Sequence, residues 1–396
     1  MAGKVGKALA PWEFAAKNLA EREVRDMKRA MVFGFFAVLV ASMALGAGPA
    51  FAAESFTVGW QPYYIDSYTP AIIQELHLTE KYLPGVNVEY QEGLHTALFA
   101  ARVLAGRIQV GYGEANPLNI VCSNRAQGEV REVCCTSNSA AGQRCALLMA
   151  RMDAPDFKTP LEAMQWLNGK LVASPWGSCA DKFMRIAMEK LGIKPADYLN
   201  QGIEIISTNL RVKKIDAAAV WEPTASRVGN LAGEGIAKLV ATGSVCGDRD
   251  VGMMMMRGEF IDQHPDLAKG WLKCELEAEQ FMTNPQNWEK AVAMIAKHAV
   301  GMPQRVIWFG LYGEIPKNVG GVNPKTVMPF IVDADLDKYI HDLYTFQVRQ
   351  KEVSTEAPPA NLIDDHLTRE VLKEAGLTSP IGQIEAAPAD QNPFKK

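Results

Sequence analysis

The run Leu171-Val172-Ala173-Ser174-Pro175, the turn Trp176-Gly177-Ser178 and the later run Asp216-Ala217-Ala218-Ala219-Val220-Trp221-Glu222-Pro223 decide how this chain folds. The first run reads as a strand, the turn as its exit, and the residues from Cys179 onward as an amphipathic helix whose N-terminus faces a cleft. The first amides of a helix lack internal partners and sit at the positive end of its macrodipole, so such a terminus is a ready anion site.

Outward from this segment, strand-like and helical runs alternate. Phe56-Thr57-Val58-Gly59-Trp60, Val86-Asn87-Val88-Glu89-Tyr90 and Ile108-Gln109-Val110-Gly111-Tyr112 read as strands, with helices starting near Thr69 and at His95. This is the βαβ rhythm of a parallel sheet. A strand over Cys145-Ala146-Leu147-Leu148-Met149-Ala150 meets a polar break at Asp153-Ala154-Pro155. A second series then runs from Leu171 to about Val245, with strands expected at Ile203-Glu204-Ile205-Ile206 and Ala217-Ala218-Ala219-Val220. Gly252-Met253-Met254-Met255-Met256 resumes the first series. Four consecutive methionines on a strand alternate between its faces, so they predict a buried strand and not a soft-metal site.

The expected organisation is therefore a first lobe over residues 53–152 and 251–378, an inserted second lobe over 153–250, and a disordered tail over 379–396. An interrupted lobe requires at least two crossings, which can act as a hinge. Ligands of open α/β sheets bind beyond the carboxyl ends of strands, and clefts between domains are favoured, so the pattern predicts a clamshell.

Residues 1–52 read as an export signal, with Lys28-Arg29 as its charged start, an apolar run from Met31 to Leu45, and Ala50-Phe51-Ala52 as the cleavage site. Residues 1–26 are superfluous to such a signal, and Met27 is an alternative start. Cleavage near Ala53 predicts a soluble mature chain, too long for one core. Of 41 basic and 45 acidic residues, seven and four lie in the first 52, which leaves a net charge of −7 and nothing that suggests nucleic acid. All seven cysteines follow the signal, in a compartment that permits disulfides. Four cluster from Cys122 to Cys145, where one or two local bridges or buried thiols are the expectation, without the C-x-x-C or nearby histidine of a zinc site. No metal or cofactor is called for.

The ordered set Asn168-Gly169-Lys170-Leu171-Val172-Ala173, Gly177-Ser178, Leu191-Gly192-Ile193 and Ile215 to Pro223 resembles the nitrate/sulfonate/taurine family of ABC-transporter solute-binding proteins. Leu104-Ala105-Gly106-Arg107-Ile108-Gln109-Val110-Gly111 is similar to that family's helix-to-strand step, and Asn284-Pro285 to one of its helix starts; the likeness spans nearly all of 55–375. It implies an α/β clamshell of the periplasmic-binding-protein type II kind, two α/β lobes with a double-crossover hinge. It also implies a monomeric periplasmic protein that hands a small solute to a membrane permease driven by an ATPase. The binding positions it implies are Trp60, Gln61, Tyr63, His95, Glu114, Ser178, Cys179, Trp221 and Glu222. Trp60→Ala is expected to weaken solute binding without unfolding the protein.

Chemistry qualifies several of these. Ser178 and Asp181 also fit a capping box, and Asp181 would oppose an anion unless it points away. Glu114 and Glu222 facing the ligand would favour a zwitterion, such as an aminosulfonate, or a neutral polar molecule over a plain inorganic anion. A pyrimidine-precursor binding protein, a thiamin pyrimidine synthase-like enzyme and a periplasmic sensor are the alternatives. The cysteines are too sparse for the synthase motif, and no G-x-S-x-G, H-E-x-x-H or P-loop pattern occurs.

Overall fold

The computed structural model describes residues 54–394 apart from 94, 95, 115–119 and 127. The expected signal over 1–52 and His95 lie outside the described residues. Twelve described strands run in chain order: β1 (Ser55–Trp60), β2 (Asn87–Glu92), β3 (Val110–Glu114), β4 (Val130–Ser139), β5 (Leu147–Arg151), β6 (Leu171–Ser174), β7 (Asp197–Asn200), β8 (Ala217–Val220), β9 (Ala237–Thr242), β10 (Asp250–Arg257), β11 (Thr326–Met328) and β12 (Gly382–Ile384). They form a seven-stranded sheet in the order β12-β11-β4-β10-β3-β1-β2 and a five-stranded sheet in the order β7-β6-β8-β5-β9. Each sheet is mixed. β1 is parallel to β2 and β3, and β6 to β7 and β8, whereas β10 runs against β3 and β4, and β5 against β8 and β9.

The chain leaves the first sheet after Ser139 and rejoins it at Asp250, so residues 140–146 and 243–249 are the two crossings. The strand at Leu147 lies in the second sheet, with Leu147 opposite both Val220 and Thr242, although 145–150 was expected in the first. An all-apolar strand fits the interior of either sheet. The polar break read as a boundary is only the turn that follows, closed by Ala154 N–H donating to Arg151 O.

Two further expectations give way. Ile203 to Arg211 is a helix, which buries Ile206 and Leu210 one turn apart and exposes Ile205. The strand before it is β7. The C-terminal segment is not a free tail, since β12 pairs with β11 and Ile384 is fully buried. Its two isoleucines, Ile381 and Ile384, supply the apolar contact that holds a proline-containing segment down.

The methionine run behaves as a central strand should. Met254 and Met256 enter the main core of the first lobe, while Met253 and Met255 face two smaller clusters on the other side. The longest helix, Pro265–Thr283, covers the main core with Trp271, Leu272, Leu276 and Met282.

That helix also buries Glu275 and Glu279 one turn apart. Tyr112 Oη donates to Glu275 Oε2 at 2.6 Å, and Trp271 Nε1 donates to Tyr112 Oη at 2.9 Å. Burial pushes the Glu275 carboxyl up to about 7, and burial with repulsion from Glu275 holds Glu279 well above the carboxylate range. The folded pair thus binds more protons than the unfolded chain once pH exceeds the ordinary glutamate value. Its contribution to stability falls as pH rises toward 7 and stays lost above it. Glu279→Gln should therefore raise the melting temperature at pH 8, by roughly 1–2 °C for each kcal/mol recovered in a chain of this length, and do little at pH 4.5. Equal shifts in melting scans at both pH values would disprove the account.

Candidate functional site

The helix Cys179–Leu191 starts from the turn that the sequence placed before it. Gly177 has φ +75°, and extended backbone at Ser178 brings its hydroxyl under Asp181 N–H as the N-cap, 3.3 Å away. The same hydroxyl donates to Pro175 O at 2.6 Å. A cap of this kind is worth about 1 kcal/mol. Gly192, in the left-handed region at φ +67°, ends the helix. The amides of Cys179 and Ala180 are the first two of the helix and have no internal carbonyl to reach.

Asp181 does not oppose an anion there. Its carboxylate turns aside to accept from Tyr198 Oη at 2.6 Å, Arg185 Nε at 2.9 Å and Gly177 N at 3.0 Å, and the Arg185 guanidinium balances its charge. Trp176, half exposed, lies under Arg185 and beside Tyr198 at the rim.

Cys179 is bonded to Cys145, with Cα atoms 6.0 Å apart. The bridge joins the first crossing to the helix N-terminus; of the two expectations for the cluster, Cys122, Cys134 and Cys135 take the buried free thiol, and Cys145 pairs outside it. Glu114 with these two sulfurs forms a compact trio of metal-type side chains, but the sulfurs are spent on each other. Tyr64 and Trp221 pack on the bridge from opposite lobes, edge to face, with ring centres 6.5 Å apart.

Several anticipated residues meet at this interface. Trp221 Nε1 donates to Tyr63 O at 3.3 Å, and Ile65 N donates to Glu222 O at 3.2 Å. Ser178, Cys179, Glu114 and Trp221 thus gather at the facing ends of β3, β6 and β8, with the carbonyl of Tyr63 beside them, while the Tyr63 hydroxyl donates to Val300 O at 2.9 Å. The others are turned away. Trp60 is fully buried in the first-lobe core, edge-on to His298 at 5.5 Å. Gln61 uses its main chain in the turn, accepting from Tyr64 N and donating to Ser67 Oγ. The Glu222 carboxylate folds back on Ser226 N and Oγ at 3.0 and 2.8 Å, with its proton affinity raised by burial.

Two cations that sequence reasoning passed over organise the interface. Arg144, 2% exposed, lies 3.0 Å from Asp66 through Nε and donates through Nη2 to Ile65 O at 3.0 Å. Its own N–H and that of Cys145 both donate to Asp250 Oδ2, at 2.8 and 2.7 Å, and its carbonyl accepts from Glu222 N at 2.8 Å. One residue of the first crossing therefore joins the loop after β1, the start of β10 and the end of β8. Lys182 is the other, 2.6 Å from Glu114 and 3.1 Å from Asp248. Burial alone would lower its proton affinity, but Asp248 and Glu114 outweigh that and hold it charged. Burial also raises Glu114, against the pull of Lys182. A lysine on the buried face of a capped helix was the available signal for Lys182; Arg144 carried none beyond its place next to a cysteine.

Comparison with known proteins agrees with this architecture. The model of the NMT1-like family matches residues 52–296. The taurine-binding periplasmic protein of Escherichia coli is 25% identical over 277 residues, covering 68% of this chain and 78% of that one. The alkanesulfonate-binding protein SsuA from Xanthomonas axonopodis pv. citri, solved with MOPS, superposes with a TM-score of 0.62 at 16% identity, over 79% of this chain and all of its own. The desulfurization enzyme DSZB also shares the fold, with a TM-score of 0.54 at 11% identity over 81% of this chain and 99% of its own. The two mixed sheets match structures of the type II periplasmic-binding-protein kind. With more than half of its length matched by the family model, the chain belongs to the NMT1-like family.

Proposed function

We propose that the protein is the periplasmic solute-binding component of an ABC importer, and that it captures a small sulfonate, best an aminosulfonate, between its lobes for a permease and its ATPase. The observation that carries this reading is the helix N-terminus at Cys179 and Ala180, opening on an interface to which both lobes contribute. A sulfonate there would receive amide N–H groups and the helix dipole. The bridge Cys145–Cys179, Tyr64 and Trp221 offer an apolar wall to its carbon chain. Glu114 has one buried carboxylate oxygen, Oε2, without a hydrogen-bond partner among the described residues, and it would accept from an ammonium group once the lobes part. The taurine-binding relative supports this solute class. A binding protein fits better than an enzyme, because the thiols nearest the site are held in a disulfide and are not free to act as nucleophiles.

The test is a thermal-shift series on the chain from Ala53 with taurine, methanesulfonate and nitrate. Taurine at 100 times its dissociation constant should add about 2.7 kcal/mol to stability, methanesulfonate less. A shift with nitrate alone would remove Glu114 from the site, and no shift with any of the three would sink the proposed solute class.

A further inference from the structure

The strongest charged contact between the lobes borders the proposed solute site, with which it shares Glu114. Lys182 rises from the second-lobe helix with its side chain 1% exposed, and its ammonium group meets four oxygen atoms. Glu114 Oε1 lies at 2.6 Å and Tyr339 Oη at 3.1 Å, the first at the end of β3, the second on the helix Ala334–Arg349 packed against the first sheet. Asp248 Oδ1 at 3.1 Å and Arg249 O at 3.0 Å belong to the second crossing. Tyr339 Oη also donates to Arg249 O at 2.7 Å, which keeps this set of oxygens fixed. The other polar contacts between the lobes described above, Trp221 to Tyr63 and Ile65 to Glu222, are neutral and longer.

A buried ammonium and a buried carboxylate have a particular effect when they stand on separate bodies. Apart, the Glu114 carboxylate can be hydrated; together, it is buried against an ammonium group that it shares with Asp248. The pair therefore ties burial of the cleft to contact between the lobes through groups of the protein alone. We propose that Lys182 and Glu114 form a latch that holds the lobes together in the solute-free protein. Apparent solute affinity then depends on the fraction of molecules already in the binding-competent state, and residues of the latch set that fraction. Lys182 is accordingly a positioning residue. The inference rests on the two-lobe architecture and does not depend on which solute is bound.

Hydrogen exchange on the solute-free chain from Ala53 tests it. The amide of Ile65, bonded across the interface to Glu222 O, reports the closed contact, and the amides of Met253 to Met256 in β10 report the fold of the first lobe. In Glu114→Gln the Ile65 amide should exchange at least tenfold faster than in the unmodified chain, with β10 unchanged. Should that variant fail to fold, Glu114→Gln combined with Lys182→Met removes both charges together and allows the same comparison. Unchanged exchange at Ile65 overturns the latch. Equal acceleration at Ile65 and β10 also overturns it, because the pair would then support the lobe itself. Since no solute is added, failure of the aminosulfonate reading would leave this result intact.

Discussion

Arg144→Met should cost about 3–5 kcal/mol of unfolding free energy, the usual loss when one member of a buried ion pair is removed. The side chain of Asp66 is fully buried, and it would keep Ser137 Oγ at 2.7 Å but lose its only ion pair among the described residues. Methionine fills similar volume, so a cavity is not the cause; the uncompensated carboxylate is. Ile65 O would lose its donor as well, loosening the loop that leads from β1 into the interface. Urea titration of the variant is the direct measurement. The companion variant Asp66→Asn combined with Arg144→Met should recover most of the loss, because it removes the stranded charge. A loss below about 1 kcal/mol for Arg144→Met, far under the range for a buried pair, would mean that water or a rearranged partner serves Asp66.

The second large effect is at Trp60. Its resemblance-based role was contact with solute, and its substitution was expected to spare the fold. Its side chain is instead fully buried among the core residues that include Ile65, Tyr68 and Ile72, with His298 at its edge. Truncation of such a residue to alanine costs about 3–5 kcal/mol through lost burial and the cavity left behind. Trp60→Ala should therefore lower the urea midpoint strongly, and any fall in solute affinity should be measured only where the variant is still folded. Unaltered stability with weakened binding would return Trp60 to the cleft.

These two residues mark how far a single sequence can be read. Strand and helix identity was legible wherever period and turn chemistry agreed, as in the strand-turn-helix from Leu171 to Leu191. The double crossing was legible too, because a second βαβ series interrupts the first. Sheet membership was not. The apolar run at Leu147 suits either interior, and only pairing with β8 and β9 decides it. Ile203 to Ile206 carries β-branched residues in a row, yet burial of Ile206 and Leu210 imposes the helical period. At the site, the cap at Ser178 and the aromatic at Trp221 could be placed because both depend on local order. Lys182 and Arg144 could not, since their partners lie 68 and 78 positions away in the chain and no local pattern announces them. The bridge from Cys145 to Cys179 was hidden for the same reason, 34 residues separating two cysteines that the fold brings together.

The placement of β10 also dictates an order of assembly as the chain is delivered from its N-terminus. The five strands of the second sheet, β5 to β9, are contiguous in the chain, so that lobe has its whole sheet once Thr242 has appeared, with Cys246 and Ile315 joining its core later. The first sheet is different. β3 and β4 do not touch each other; β10 lies between them and arrives more than a hundred residues after β4. Until then the earlier strands form two unconnected pieces with open edges, the kind of surface that invites wrong pairing. The inserted lobe can thus have its full sheet while the host sheet is still in halves, and the methionine strand is the piece that closes the gap.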